Sequence, residues 1–180
     1  MERLIDKMIE GNRSYIRFSN RIRREETAQN GQQPYAIVIC CSDSRVIPEQ
    51  IFSADIGDLF VIRVAGNVLD MHQLGSVEYA AAHLGCKLVV MLGHTECGAV
   101  SATLNNHGEG FISYIVDDIL EAVGDERDLT QACRLNVLHG VERIKHEFAS
   151  HPEMADIEVR GAVYDIRTGE VEWIADTQTS

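Results

Sequence analysis

No part of this 180-residue sequence stays apolar for long. Its longest such runs, 36–41 (AIVICC) and 87–93 (KLVVMLG), fall far short of the ~20 residues that a membrane-spanning helix needs. Positive charge is scarce as well: 16 Lys and Arg stand against 28 Asp and Glu, a net charge of −12. A phosphate backbone or an anionic bilayer calls for basic patches, so neither nucleic acid nor a membrane is the expected partner. The one basic cluster, Arg21, Arg23 and Arg24, runs straight into Glu25 and Glu26 and reads as a solvated helix end. The five cysteines, at 40, 41, 86, 97 and 133, form no regular framework and are odd in number, which points to metal ligation or buried thiols rather than disulfides. The opening residues, MERLIDKMIEGNR, interleave charge throughout and hold no apolar signal region, so a cytoplasmic chain is expected.

Repeats, linkers and low-complexity segments are also missing, and 45% hydrophobic with 24% charged residues is an ordinary globular balance. One domain over 1–180 is the expectation, with a helical arm over about 1–26. A chain of this size buries roughly 70% of its unfolded surface, so it needs no metal merely to hold a core. A metal site here would point to chemistry.

Residues 2–23 place Leu4, Ile5, Met8, Ile9, Tyr15, Ile16 and Ile22 at helical spacing, and the polar stretch 27–34 (TAQNGQQP) reads as a loop. Three short apolar runs follow, 35–41, 58–66 and 87–93, each the signature of a strand buried on both faces. Helix-like segments at 48–54 and 74–85 separate them, and further helices are expected near 98–105, 111–123 and 128–149. The end of the chain reads as two strands around a turn at Arg167, Thr168 and Gly169. The fold class is therefore α/β: a mostly parallel sheet flanked by helices, with N-terminal helices and a hairpin-like end.

Two clusters sit just beyond predicted strand ends: Cys41-Ser42-Asp43-Ser44-Arg45 and His94-Thr95-Glu96-Cys97-Gly98. Ligands of open α/β sheets bind at the carboxyl ends of strands, so topology brings these loops together. Two thiols, an imidazole and a nearby carboxylate are the donors that zinc takes. Alternate strand residues face opposite sides, so Cys40 and Cys41 cannot both aim at one metal. Cys41 shares parity with Asp43 and Arg45 in a locally extended chain and is the expected ligand. Entry into a helix after Cys97 favours its thiolate.

The stretches 41–48 (CSDSRVIP), 57–68 (GDLFVIRVAGNV), 74–85 (LGSVEYAAAHLG), 88–100 (LVVMLGHTECGAV) and 161–171 (GAVYDIRTGEV) resemble the β-class carbonic anhydrases over almost the whole sequence. The resemblance implies one zinc ion per subunit on Cys41, His94 and Cys97, a catalytic Asp43 and Arg45 pair, and reversible hydration of CO2 to bicarbonate and a proton by zinc-bound hydroxide. It implies Gln32, with Gln33 as competitor, Phe60, Ala65, Tyr79 and Gly98 around the substrate, and Tyr79 or His83 on a proton path. Phe60 and Tyr79 equally suit a core, and His83 a helix surface. It also implies an active site shared across a homodimer, or a tetramer of that type. Two positions depart from family patterns: Val64 stands where many members have Asn, and Val38 where a bicarbonate-regulated subgroup has Trp.

Three other readings follow from the same residues. The scaffold could hydrolyse COS or CS2; Asp43 could close the fourth zinc position and leave a structural or regulatory module; or Cys40 and Cys41 could serve redox chemistry. The last is poor, because adjacent cysteines face apart and no CxxC is present.

Overall fold

A computed structural model describes residues 3–175. Its frame is a five-stranded sheet of β1 (Ala36–Cys40), β2 (Leu59–Arg63), β3 (Leu88–His94), β4 (Glu158–Tyr164) and β5 (Val171–Ile174), in the order β2-β1-β3-β4-β5. All neighbours run parallel except β4 and β5, which pair antiparallel. The α/β sheet and hairpin-like end expected from the sequence are both present.

All five residues of β1 are buried because both of its faces are covered. Ile37 and Ile39 join Ile62, Val89, Met91, Val159 and Val163 against α4 (Met71–Leu84) and α7 (Leu129–Phe148). Val38 and Cys40 face the other way, onto Val90, Leu92, Ala162 and Val46. Helix α7 lies close on the sheet because Gly93 offers no side chain; a Cβ there would come within 2.4 Å of Val137 Cγ2. A third cluster sits beyond the strand ends, where Cys41, Cys97, Val100, Ile119 and Cys133 meet among α5 (Gly98–Leu104), α6 (Ile112–Val123) and α7.

Several boundaries differ from the sequence reading. Residues 27–30 belong to α2 (Arg21–Asn30) rather than to a loop, because Asn20 caps its start by accepting from the Arg23 amide and Gly31 ends it at φ +76°. The arm accordingly comprises α1 (Leu4–Phe18) and α2. Arg23 is not a solvated charge: it donates to Asp58 Oδ1 at 2.7 Å and to the Ile56 carbonyl at 2.9 Å, tying α2 to the loop before β2. Helix α4 starts three residues early because Asp70 and Gln73 form a reciprocal cap. The helix expected over 48–54 closes at Ile51 as α3 (Pro48–Ile51).

Candidate metal centre

Strand β1 stops at Cys40, so Cys41 to Arg45 is not the extended segment the spacing suggested. The chain turns instead, with the Val46 amide donating to the Asp43 carbonyl at 3.0 Å. Asp43 and Arg45 still meet, because the turn folds the arginine back over the carboxylate. Arg45 Nε reaches Asp43 Oδ1 at 3.0 Å, Nη2 reaches Oδ2 at 2.7 Å, and the Arg45 amide also donates to Oδ1 at 2.9 Å. Arg45 thereby holds the Asp43 carboxyl well below the usual carboxylate range. Arg63, at the end of β2, clamps the same turn from outside by donating to the carbonyls of Cys41 at 3.3 Å and Asp43 at 2.7 Å.

The second loop leaves β3 at His94, and Glu96 takes a left-handed φ of +55°. A non-glycine residue enters that region only when its surroundings hold it there. Arg167, from the turn between β4 and β5, grips the Glu96 carboxylate with Nε at 2.8 Å. The loop thus doubles back, and Cys97 returns towards His94.

Cys41, His94 and Cys97 each place one ligand atom within 4.8 Å of the others, a buried group able to hold a metal ion. The two sulfurs lie 4.0 Å apart, close to the separation of about 3.8 Å that Zn–S bonds near 2.3 Å give in a tetrahedron. His94 Nδ1 is 2.8 Å from the Thr95 carbonyl, an acceptor, so that nitrogen carries the proton and Nε2 presents its lone pair to the sulfurs. Nε2 is the one buried side-chain polar atom without a hydrogen-bond partner among the described residues. Leaving such an atom unsatisfied is costly, and a cation between the three donors would satisfy it.

Of the two thiols, Cys41 is favoured as thiolate. Cys97, by donating to it at 4.0 Å, and the amides of Asp43 (3.4 Å) and Gly66 (3.3 Å) stabilise charge on it and outweigh burial. Cys97, whose thiolate the helix entry was expected to favour, is instead pushed up by its hydrogen bond to Cys41, by burial and by the charge on Cys41, which outweigh the amides of Val100 and Ala99. Burial pulls His94 down, but Cys41 and the Thr95 carbonyl leave it raised. Cys40 faces the opposite side of the sheet, where burial pushes its thiol up to about 12.

The other expected site residues fall into two sets. Ala65 lies beside the cluster, in a 3-10 turn (Ala65–Asn67) whose middle residue, Gly66, donates its amide to Cys41, and Gly98 opens α5 directly after Cys97. A Cβ on Gly98 would meet no heavy atom within 4 Å, so its backbone is approachable. Phe60, Tyr79 and His83 instead form a row of rings on β2 and α4, with centroids 6.2 Å and 5.3 Å apart. Phe60 packs on the Ile37 and Ile39 side of the core, a different cluster from Cys41 and Cys97. Gln32 is exposed in the connection from α2 to β1, and Gln33 beside it lines a cleft with Arg23 and Thr27.

Three contacts around the site escaped the sequence reading: the clamp by Arg63, the close approach of Gly66, and the bond that Asn136 Nδ2 donates to the Gly66 carbonyl at 2.8 Å. A polar residue at 136, between Cys133 and Val137 on the buried stripe of α7, was the legible signal for the last.

The family model described as carbonic anhydrase matches residues 36–171. The chain belongs to the β-class carbonic anhydrases. A carbonic anhydrase of Mycolicibacterium smegmatis is 42% identical over 134 residues, 74% of this chain and 62% of that protein. Carbonic anhydrase 2 of Mycobacterium tuberculosis is 47% identical over 94 residues, 52% of this chain and 45% of that protein. The chain therefore spans between about half and three-fifths of these relatives. Among solved structures, the β-carbonic anhydrase CafA of Aspergillus fumigatus superposes with a TM-score of 0.82 at 27% identity, over 94% of this chain and 90% of that one. The β-carbonic anhydrase CcaA gives 0.78 at 27% identity, over 97% and 93%.

Proposed function

We propose that this protein is a zinc-dependent enzyme that reversibly hydrates CO2 to bicarbonate and a proton, with one zinc ion per subunit on Cys41, His94 and Cys97. The observation that carries this reading is the buried, unpartnered His94 Nε2 facing two sulfurs while Asp43 is turned away onto Arg45. Three protein donors leave a fourth coordination position for water, the pattern of a catalytic rather than a structural zinc site. When bound, zinc supplies the Lewis acidity that lowers the pKa of water from about 15.7 towards about 7, less strongly with two thiolates than with three imidazoles.

The protein's own residues do the rest. Asp43, ionised and fixed by Arg45, offers a carboxylate oxygen to the proton of the attacking water, so that the water's lone pair faces CO2. Arg45 acts as a switch, because releasing Asp43 would free it to enter the site and close it. Ala65 and Gly98 border the substrate, and Gln32 donates to the product bicarbonate.

Phe60 and Tyr79 line the apolar pocket, and Tyr79 or His83 passes the proton outward. In one chain the Phe60, Tyr79 and His83 row packs apart from the cluster around Cys41, so these roles call for a second subunit whose centre the row serves. Helix α1 supports a homodimer or a tetramer built from it: none of its residues is buried in a single chain, and Leu4, Ile5, Met8, Ile9 and Ile16 are all exposed. A tetrameric assembly is described for the β-carbonic anhydrases of Sordaria macrospora. No helix among the described residues is long and apolar enough to cross a membrane. The cytoplasm is the compartment we assign.

Stopped-flow CO2 hydration on zinc-replete protein, from about pH 6.5 to about 9, tests the reading around the expected pKa near neutrality. Hydration that rises with pH and disappears in Cys41→Ala is the expected result. No hydration despite stoichiometric zinc would overturn it, leaving a closed, non-catalytic zinc module or an enzyme for COS or CS2.

A further inference from the structure

The turn that touches Cys41 is held from behind by a residue far from it in sequence. Asn136, on α7, is 5% exposed, and its Nδ2 donates to the Gly66 carbonyl at 2.8 Å. The amide of the same Gly66 donates to Cys41 Sγ at 3.3 Å. Asn136 thus reaches the sulfur through one intervening residue, gripping its carbonyl while its amide points at the metal-binding atom.

Gly66 has almost no freedom to do otherwise. It sits at φ +69°, and a Cβ there would come within 2.7 Å of Ile119 Cδ1 and 3.1 Å of Ala99 Cβ. Asn67 follows at φ +46°, also left-handed and buried. Two successive left-handed residues need outside support. The Asn67 amide closes the turn on the Val64 carbonyl at 3.0 Å, and Asn136 supplies the bond from the helix layer.

The second amide on Cys41 is under separate control. It belongs to Asp43, 3.4 Å from the sulfur, and Arg63 holds that turn through the carbonyls of Cys41 and Asp43. The two N–H groups on Cys41 therefore answer to different residues, one on β2 and one on α7. An N–H directed at a thiolate draws electron density from it, and outer partners of metal ligands govern affinity as well as orientation.

We propose that Asn136 is a positioning residue of the metal centre: by holding the Gly66 carbonyl it aims the Gly66 amide at Cys41 Sγ, setting where that sulfur sits and how much charge it donates to the metal. The inference rests on the reading of Cys41 as a metal ligand.

The test loads cobalt(II) in place of zinc into wild type, Asn136→Leu and Cys41→Ser. Removing the hydrogen bond should raise the energy of the sulfur electrons, so in Asn136→Leu the sulfur-to-cobalt charge-transfer band moves to longer wavelength while the tetrahedral ligand-field bands persist. Competition with a chelator should show metal affinity weakened about 10- to 100-fold. If Asn136→Leu melts at lower temperature but keeps the wild-type band and affinity, Asn136 merely satisfies a buried carbonyl and the proposal is overturned. Should the leucine variant not fold, Asn136→Ala, which also lacks the donor, is read by the same criteria. Cys41→Ser must lose charge-transfer intensity; if it does not, the ligand assignment itself has failed, and the proposal with it.

Discussion

Arg45 holds Asp43 by three hydrogen bonds, two from its guanidinium and one from its own backbone amide, so the carboxylate is fixed in plane and in direction. Lysine cannot reproduce that planar fork. Arg45→Lys should keep one zinc per chain yet lose about 10- to 100-fold in kcat/KM, the usual cost of removing an outer partner. Metal analysis beside CO2 hydration checks both halves, and full activity in this variant would remove Arg45 from the proposed mechanism.

The same pair sets a pH window for stability. Asp43 is depressed in the folded state, first by the side-chain bonds from Arg45, so its contribution is fully present above the unfolded aspartate pKa of about 3.9. It is lost only as pH falls below that, through the folded value. Urea midpoints of wild type and Asp43→Asn should differ by a constant amount from about pH 5 upward and converge in stronger acid. A difference that varies around neutral pH would show that Asp43 is not the paired anion described.

Neighbouring cysteines should behave oppositely. Cys41→Ala removes a donor from the buried group and should abolish stoichiometric zinc binding. Cys40→Ala, on the other face of the sheet, should retain one zinc per chain and lose about 1 kcal/mol of stability from the small cavity. Zinc content together with thermal melting separates the two.

Gly66→Ala should destabilise the fold by roughly 1–3 kcal/mol, from the left-handed backbone and the contact with Ile119. Ile119→Val in the same chain should return part of the loss by removing the obstructing methyl. Additive effects in urea unfolding would mean that the two positions do not meet.

Sedimentation tests the proposed assembly. Met8→Glu combined with Ile16→Glu places charge on the exposed apolar stripe of α1, and the protein should shift from dimer or tetramer to monomer.

Much of the fold was legible because its signals are local. The runs at 36–41 and 87–93 are short, apolar on both parities and rich in β-branched residues, as a strand covered on two faces requires, and the turn at 165–169 carries its own instructions in Asp165 and Gly169. Boundaries were less legible where a side chain outside the element sets them. The cap on α2 comes from Asn20, and polar composition at 27–34 hid the last turn of that helix.

For the site, residue chemistry pointed to Cys41, His94 and Cys97 as one candidate group, since parallel strands deliver their carboxyl-terminal loops to one edge, and Cys40 does lie on the opposite side of the sheet, although Cys41 shares no extended segment with Asp43 and Arg45. The link between Asp43 and Arg45 was foreseen for a partly mistaken reason: a turn, not an extended segment, brings them together. Which atoms would be left without partners, and which distant residues hold the loops, depended on packing between elements far apart in sequence. Asn136 meets Gly66 across 70 residues and Arg167 meets Glu96 across 71, contacts that no local pattern encodes. The sequence determined the candidate donor set and the layer architecture, because both follow from side-chain type and period. Only the tertiary structure decided how that donor set is aimed, because aim depends on where α7 and the β4–β5 turn come to rest against the two loops.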